Sequence, residues 1–205
     1  MNFLSLVQGV RMAELKDFRR VTHLAATLMR EHLKPGDFAV DATAGNGEDT
    51  CMMAEAVGEN GRIYAFDIQE KAIERTQTLL LSKGYEKRVV LYEKGHETMA
   101  EIPEIAEKPG LSGVMFNLGY LPGDEGEGRI HTKKETTIIA IQSALHLLLP
   151  GGLMTICIYP HPEGQCEGEA IEKLLKSLSG GLYVHKIKTI NRNNPPWLLI
   201  VERAK

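Results

Sequence analysis

Cysteine is scarce: Cys51, Cys157 and Cys166 are the only three in 205 residues, and no two of them form a CxxC pair. An odd, sparse count fits a reducing compartment better than a disulfide scaffold, so the expected location is cytoplasmic. The spacing of Cys157, His161 and Cys166 matches no common zinc pattern, and no metal site is expected. Long apolar runs are missing as well. None approaches the length of a membrane span, and the opening MNFLSLVQGVRMAELKD is interrupted by Gln8, Arg11 and Glu14, which makes it a poor signal peptide. Excess positive charge is absent. A formal net charge of -3 excludes a protein that wraps nucleic acid along a basic surface, but it leaves room for a local patch that grips one RNA hairpin. With no internal repeat, low-complexity tract or linker, and 43% hydrophobic residues, the chain is expected to hold one domain over 17–205, preceded by an extension over 1–16 of open role.

One absence is local and more informative. FAVDATAGNGEDT, from Phe38 to Thr50, carries Gly45 and Gly47 but no third glycine three residues later, which weakens a pyrophosphate-binding reading. What is there is a strand that ends in Asp41, a lead through Thr43 and Asn46, and a helix start at Asp49 and Thr50. Asp41 at the strand tip can accept from an ammonium group, while the turn's N–H groups and the helix N-terminus take a carboxylate. Together these suit the amino-acid half of S-adenosyl-L-methionine. Asp67 follows Gly47 by about 20 residues at the tip of the next strand, where a carboxylate accepts from ribose hydroxyls.

Strands and helices then alternate. Helical spacing over Val21, Leu24, Ala25, Leu28 and Met29, with Asp17 as N-cap, stops at Lys34-Pro35-Gly36. Helices are expected over 50–57, 69–83, 97–108, 135–149 and 167–178, with Pro150-Gly151-Gly152 ending the fourth of these. Strands are expected over 38–40, 62–68, 88–92, 111–116, 153–159, 182–190 and 197–201. The last two, joined by NRNNPP, form a hairpin. The pattern predicts an α/β fold: a doubly wound, seven-stranded, mostly parallel sheet with right-handed crossovers and a C-terminal antiparallel hairpin. At the carboxyl ends of its strands, His96 is a candidate neighbour of a nucleoside base. Asn117 offers an amide oxygen to an amine, Gly119 opens the loop, and Tyr120 offers a ring that can stack on a base.

In this order, DATAGNGEDT, FDIQ, FNLGYLPG, the KKETTI segment, LLPGGL and NNPPWLLIVE resemble a bacterial family named for rRNA methylation. Its members are now associated with methylating the aminomethyl group of the tRNA wobble uridine, giving 5-methylaminomethyl-(2-thio)uridine. The resemblance runs over roughly residues 20 to 203. It implies a Rossmann-like class I methyltransferase that uses S-adenosyl-L-methionine. Asp41, Thr43, Gly45, Asn46, Gly47, Asp49 and Thr50 would surround the methionine part, Asp67 and Gln69 the ribose, and His96 the adenine end. Asn117, Gly119 and Tyr120 would lie beside the methyl group and the incoming amine; His161 matches a family position without an assigned task, and the amine is expected to lose its proton to solvent or to a nearby group such as His161. His23 also matches a family position. The sequence departs from the family in its extension through Lys16 and in the acidic loop from Gly123 to Glu127.

A partner RNA, expected to be the tRNA anticodon arm, would meet cations from the set Arg19, Arg20, Arg129, Lys133, Lys134, Lys186, Lys188 and Arg192, with Trp197 near an unstacked base. Whether the chain forms a homodimer is open. The alternatives are an rRNA or small-molecule N-methyltransferase, a nicotinamide-dependent oxidoreductase and a non-catalytic RNA-binding module.

Overall fold

The computed structural model describes residues 20–107, 110–119 and 131–205. Seven strands form one sheet in the order β3-β2-β1-β4-β5-β7-β6. They are β1 (Phe38–Asp41), β2 (Arg62–Asp67), β3 (Val89–Glu93), β4 (Leu111–Asn117), β5 (Leu148–Ile158), β6 (Leu182–Lys188) and β7 (Trp197–Arg203). Strands β1 to β5 pair in parallel, and β7 lies antiparallel between β5 and β6. This is the expected doubly wound sheet with its terminal hairpin.

Helices cover both faces because neighbouring strand residues point to opposite sides. Ala39, Ile63, Ala65 and Met115 face one apolar layer with α1 (Val21–His32), α2 (Glu48–Val57) and α3 (Glu70–Lys83). Val40, Tyr64, Phe66, Val114 and Phe116 face the other, with α5 (Lys134–Leu147), α6 (Pro162–Lys176) and the short α4 (Pro103–Ala106). The stripe Val21, Leu24, Ala25, Leu28 and Met29 is the buried face of α1, as its spacing predicts. Its expected N-cap, Asp17, lies outside the described residues. On β4, Gly113 lets this helix approach, since a Cβ there would stand 2.5 Å from Met29 Sδ.

Several boundaries differ from the sequence expectation, each for a local reason. The segment expected as one helix over 97–108 is a 3-10 turn, His96–Glu101, followed by the single turn of α4. Pro103 explains the break: it holds Ile102 extended and then occupies the first helical turn. Helix α5 stops at Leu147, and Leu148 already pairs with Leu111. The Pro150-Gly151-Gly152 turn is therefore taken up as an irregularity inside β5 before Leu153 resumes pairing with Gly113. Helix α6 starts at Pro162, five residues before the expected Glu167, because His161 caps it and Pro162 suits a first turn. Helix α2 starts at Glu48 rather than Thr50, behind a left-handed Gly47.

Candidate active site

The carboxyl ends of β1, β2, β3, β4 and β5 open onto a cavity of about 430 Å³, a size suited to a small organic ligand. Its floor is the turn after β1. Gly47, at φ 85°, closes that turn by donating its N–H to Ala44 O at 2.8 Å, and it packs directly on α3. Arg75 of α3 donates to Asn46 Oδ1 at 3.0 Å and so fixes the Asn46 side chain at the cavity edge.

Asp41 corrects the sequence reading. Its carboxylate is buried behind the turn rather than in the cavity wall: Thr43 N–H donates to Oδ1 at 3.1 Å and Thr50 Oγ1 to Oδ2 at 2.5 Å. Burial, reinforced by the nearby Asp49, pushes this carboxyl up to about 7. Thr50 and Gly47 likewise support the turn from behind and do not line the cavity. Asp49 does line it. Burial raises its carboxyl above the usual range, while a hydrogen bond from the Asn117 side chain and the charge of His23 on α1 pull the other way. His23 itself is on the exposed side of α1.

Asn117 is held from two directions, since its backbone N–H also donates to Thr43 Oγ1 at 2.8 Å. Asp67 accepts from Gly45 N–H at 3.0 Å through Oδ2 and from Gln69 N–H at 3.0 Å through Oδ1. Each oxygen keeps a lone pair for a ligand hydroxyl. His96 lines the same cavity and its Nδ1 donates to Ala42 O at 3.1 Å; burial lowers its pKa. Between Asp67 and Gln69, Ile68 is 55% exposed and adds an apolar surface to this end.

The structure therefore brings Thr43, Gly45, Asn46, Asp49, Asp67, Gln69, His96, Asn117, Gly119 and Lys133 to one cavity. Tyr120 and Arg129 lie outside the described residues, as do Arg19, the 1–16 extension and the acidic loop. His161 is not in the wall. It caps α6, its Nδ1 accepting from Gly164 N–H at 3.0 Å, and its ring packs 5.0 Å from that of His131, which does line the cavity. Lys134 pairs with Glu135 at 3.3 Å at the start of α5. Arg192 sits in the β6–β7 turn, beyond Lys188 and before Trp197, whose register with Ile158 places that turn at the cavity end of the sheet. Trp197 is only 5% exposed, and the ammonium groups of Lys186 and Lys188 stand over its ring at 5.2 and 5.3 Å. It offers no open face to a base, so the expected stacking role is corrected.

His131, Thr132, Thr136, Tyr159, Lys94 and Ile68 also line the wall, without having been singled out from sequence. Tyr159 had a usable signal. Asn117 pairs with Cys157 across β4 and β5, so the residue two places on stands beside Gly119 at the same sheet end.

A family model described as "Putative rRNA methylase" matches residues 63–202, more than half of the chain. The chain belongs to this family. It is an S-adenosyl-L-methionine-dependent methyltransferase, and the nicotinamide-oxidoreductase alternative falls with that membership. Among curated relatives, a chloroplastic tRNA (mnm(5)s(2)U34)-methyltransferase from Arabidopsis thaliana is 35% identical over 193 residues, spanning 89% of this chain and 69% of that protein. Among solved structures, a Clostridium thermocellum protein described as a "putative rRNA-methylase" superposes with a TM-score of 0.83 at 37% identity, covering 91% of this chain and 99% of that one. A Streptococcus mutans protein described as a "putative methyltransferase", in complex with SAH, gives 0.80 at 30% identity, again over 91% and 99%.

The residues present fit this cofactor. Asp49 is a desolvated carboxylate facing the cavity, the partner an α-ammonium needs. The N-terminus of α2 opens beside it and suits a carboxylate. The free lone pairs of Asp67 suit the ribose diol, and Ile68 with His96 suits a planar base.

Proposed function

We propose that this methyltransferase acts on tRNA, transferring a methyl group to the amine of 5-aminomethyl-(2-thio)uridine at the wobble position. The observation that carries the amine reading is Asn117. Its side chain lines the cavity where β4 ends, beside the Asp49 carboxylate it stabilises, and with the NH2 group turned to that carboxylate the amide carbonyl is an acceptor for a substrate. An acceptor at that point orients an amine through its N–H and leaves the nitrogen lone pair to attack. The Arabidopsis relative, which covers most of this chain, is named for the same wobble position, and that supports tRNA over rRNA.

When bound, S-adenosyl-L-methionine supplies a methyl group already activated on a sulfonium. The chain's own work is then alignment rather than strong acid or base catalysis. Asp49 holds the ammonium and the Asn117 amide at once, so the cofactor's amino-acid end and the substrate amine are referenced to one carboxylate. The amine loses its proton to solvent or to His131, which faces the cavity and packs against His161. Lys133 in the wall, Lys134 at the start of α5 and Arg192 in the β6–β7 turn form a cationic rim for anticodon-arm phosphates. Lys186 is less available because it pairs with Glu172 at 2.5 Å.

Two measurements test this reading. Nucleoside mass spectrometry of tRNA from cells lacking the protein should show 5-aminomethyl-(2-thio)uridine accumulating at the wobble position; unchanged wobble nucleosides with an altered rRNA methyl pattern would move the substrate to rRNA. In vitro, Asn117→Ala should lower turnover by about 10²-fold, the cost of a misplaced reactant, while S-adenosylhomocysteine affinity changes only a few-fold. Equal losses in both would make Asn117 a pocket support and not an amine acceptor.

A further inference from the structure

Behind the cavity wall lies a buried polar cluster that methyl transfer, as described, does not use. Glu167 of α6 is 2% exposed. Thr132 Oγ1 donates to its Oε2 at 2.8 Å, and Thr137 Oγ1 stands 2.5 Å from its Oε1. Thr137 Oγ1 also lies 3.4 Å from His96 Nε2. Two of the groups so held belong to the cavity. His96 lies at the nucleoside end, and Thr132, whose N–H donates to Gly119 O at 3.1 Å, lies at the end near Asn117.

Ala42 O only accepts, so His96 Nδ1 at 3.1 Å carries a hydrogen in every protonation state. A neutral His96 therefore points the lone pair of Nε2 at Thr137. With Glu167 ionised and His96 neutral, the single hydroxyl proton of Thr137 faces two acceptors, and one of the two contacts sets lone pair against lone pair in a dry interior. One added proton removes the conflict. On Nε2 it gives imidazolium to Thr137 to carboxylate; on Glu167 it gives carboxyl to Thr137 to imidazole. Either arrangement satisfies every atom, and 2.5 Å is the length of a charge-assisted O–H···O bond.

We infer that His96, Thr137 and Glu167 share a single proton, and that Glu167 is a positioning residue that sets both cavity walls at once. It acts through Thr132 on the methyl-transfer end and through Thr137 on the nucleoside end. Other charges face His96 as well, Glu97 from its own turn and Asp67 from the tip of β2, and both favour keeping the proton on the cluster against the effect of burial. The consequence for affinity rests on the cofactor reading above; the proton count does not.

The test compares wild type, Glu167→Gln and Thr137→Val. A Gln side chain reproduces the protonated carboxyl: its NH2 donates to Thr137, which donates to a neutral His96, while its carbonyl accepts from Thr132. Imidazole 15N NMR of the ligand-free protein across a pH series should show His96 Nε2 titrating in wild type and fixed as the Nδ1–H tautomer throughout in Glu167→Gln. Calorimetry with S-adenosylhomocysteine should show wild-type affinity falling several-fold as the shared proton leaves, relative to a flat profile for Glu167→Gln at the wild-type low-pH value. Thr137→Val should bind about tenfold more weakly at every pH, the cost of a broken buried polar contact. Identical His96 titrations in wild type and Glu167→Gln overturn the shared proton, and unchanged affinity in Thr137→Val overturns the positioning role. Thermal melts establish folding. If Glu167→Gln does not fold, the His96 titration in Thr137→Val decides, because loss of the bridge must shift it. Failure of wild type to bind S-adenosylhomocysteine while the His96 contrast persists would fault the cofactor reading and leave the proton inference standing.

Discussion

Replacing Asp41 by Asn should make this protein more stable in mild alkali and leave its cofactor affinity nearly intact. The carboxyl is enclosed by the β1 turn, and burial moves its midpoint from 3.8 to about 7. Between those values the unfolded chain has released the proton and the native chain has kept it. Stability therefore falls as pH rises through this window and stays at the lower level above it. At about 1.36 kcal/mol per pH unit the full cost is on the order of 4 kcal/mol. An amide of the same shape accepts from Thr43 N–H and donates to Thr50 Oγ1 without that charge. At about 2–4 °C per kcal/mol for a domain of this size, the melting temperature of Asp41→Asn should exceed that of wild type by up to roughly 8–16 °C at pH 8. At pH 4 the difference should nearly vanish. Calorimetric melts at the two pH values measure this directly, because other titrating groups cancel in the comparison of variant with wild type. A stability difference equal at both pH values, or a loss at pH 8, would refute the argument that this buried carboxylate opposes folding. S-adenosylhomocysteine affinity should stay within about threefold, since Asp41 does not face the cavity.

Two further outcomes follow from the same turn. Asp49→Asn removes the charge that faces the cavity, and hydrogen bonds to charged groups contribute about 1.5–3 kcal/mol, so S-adenosylhomocysteine should bind roughly 10- to 150-fold more weakly by calorimetry; an effect under twofold would place the ammonium elsewhere. Gly47→Ala puts a Cβ 2.9 Å from Thr76 Cα at φ 85°, and the melt should report a loss of about 1–3 kcal/mol, whereas a neutral substitution would mean that the turn and α3 have room to separate.

The sheet was legible because its signals are local and repeated. Apolar runs such as Phe38-Ala39-Val40, bounded by Pro35-Gly36 and the Gly45–Gly47 turn, read as strands covered on both faces, and the helix-free link through NRNNPP left a hairpin as the way to close the sheet. Boundaries were less legible where a residue type serves two roles. Pro162 falls between the strand expected over 153–159 and the helix expected over 167–178 and is the first turn of α6, because proline suits a helix start as well as a break. Pro150-Gly151-Gly152 read as a helix stop and is absorbed within β5, since only the pairing of Leu148 with Leu111 reveals that the strand has already begun. Trp197 read as an RNA-facing ring, and its burial under Lys186 and Lys188 depends on which side of β7 meets α6, a matter of tertiary register. The cluster around Glu167 left no local trace at all, because its members come from a 3-10 turn, two positions at the entry to α5 and the middle of α6.

The exchange of roles between Asp41 and Asp49 has a geometric origin. Both are carboxylates beside a glycine turn, and sequence spacing assigns the ligand to the one at the strand tip. Helix α2 begins at Glu48, so Asp49 and Thr50 are its second and third residues, and successive residues diverge by about 100° around a helix axis. That rotation turns Thr50 down onto Asp41 and leaves Asp49 at the cavity. Had the helix begun at Thr50, neither orientation would be fixed by helical geometry. The start is set by Gly47, whose left-handed backbone closes on Ala44 O and lets the chain enter α2 against Thr76. A single backbone angle thus decides which of two aspartates is sealed in the core and which faces the cavity, and the Asp41→Asn and Asp49→Asn variants should separate those fates in opposite assays, stability for the first and affinity for the second.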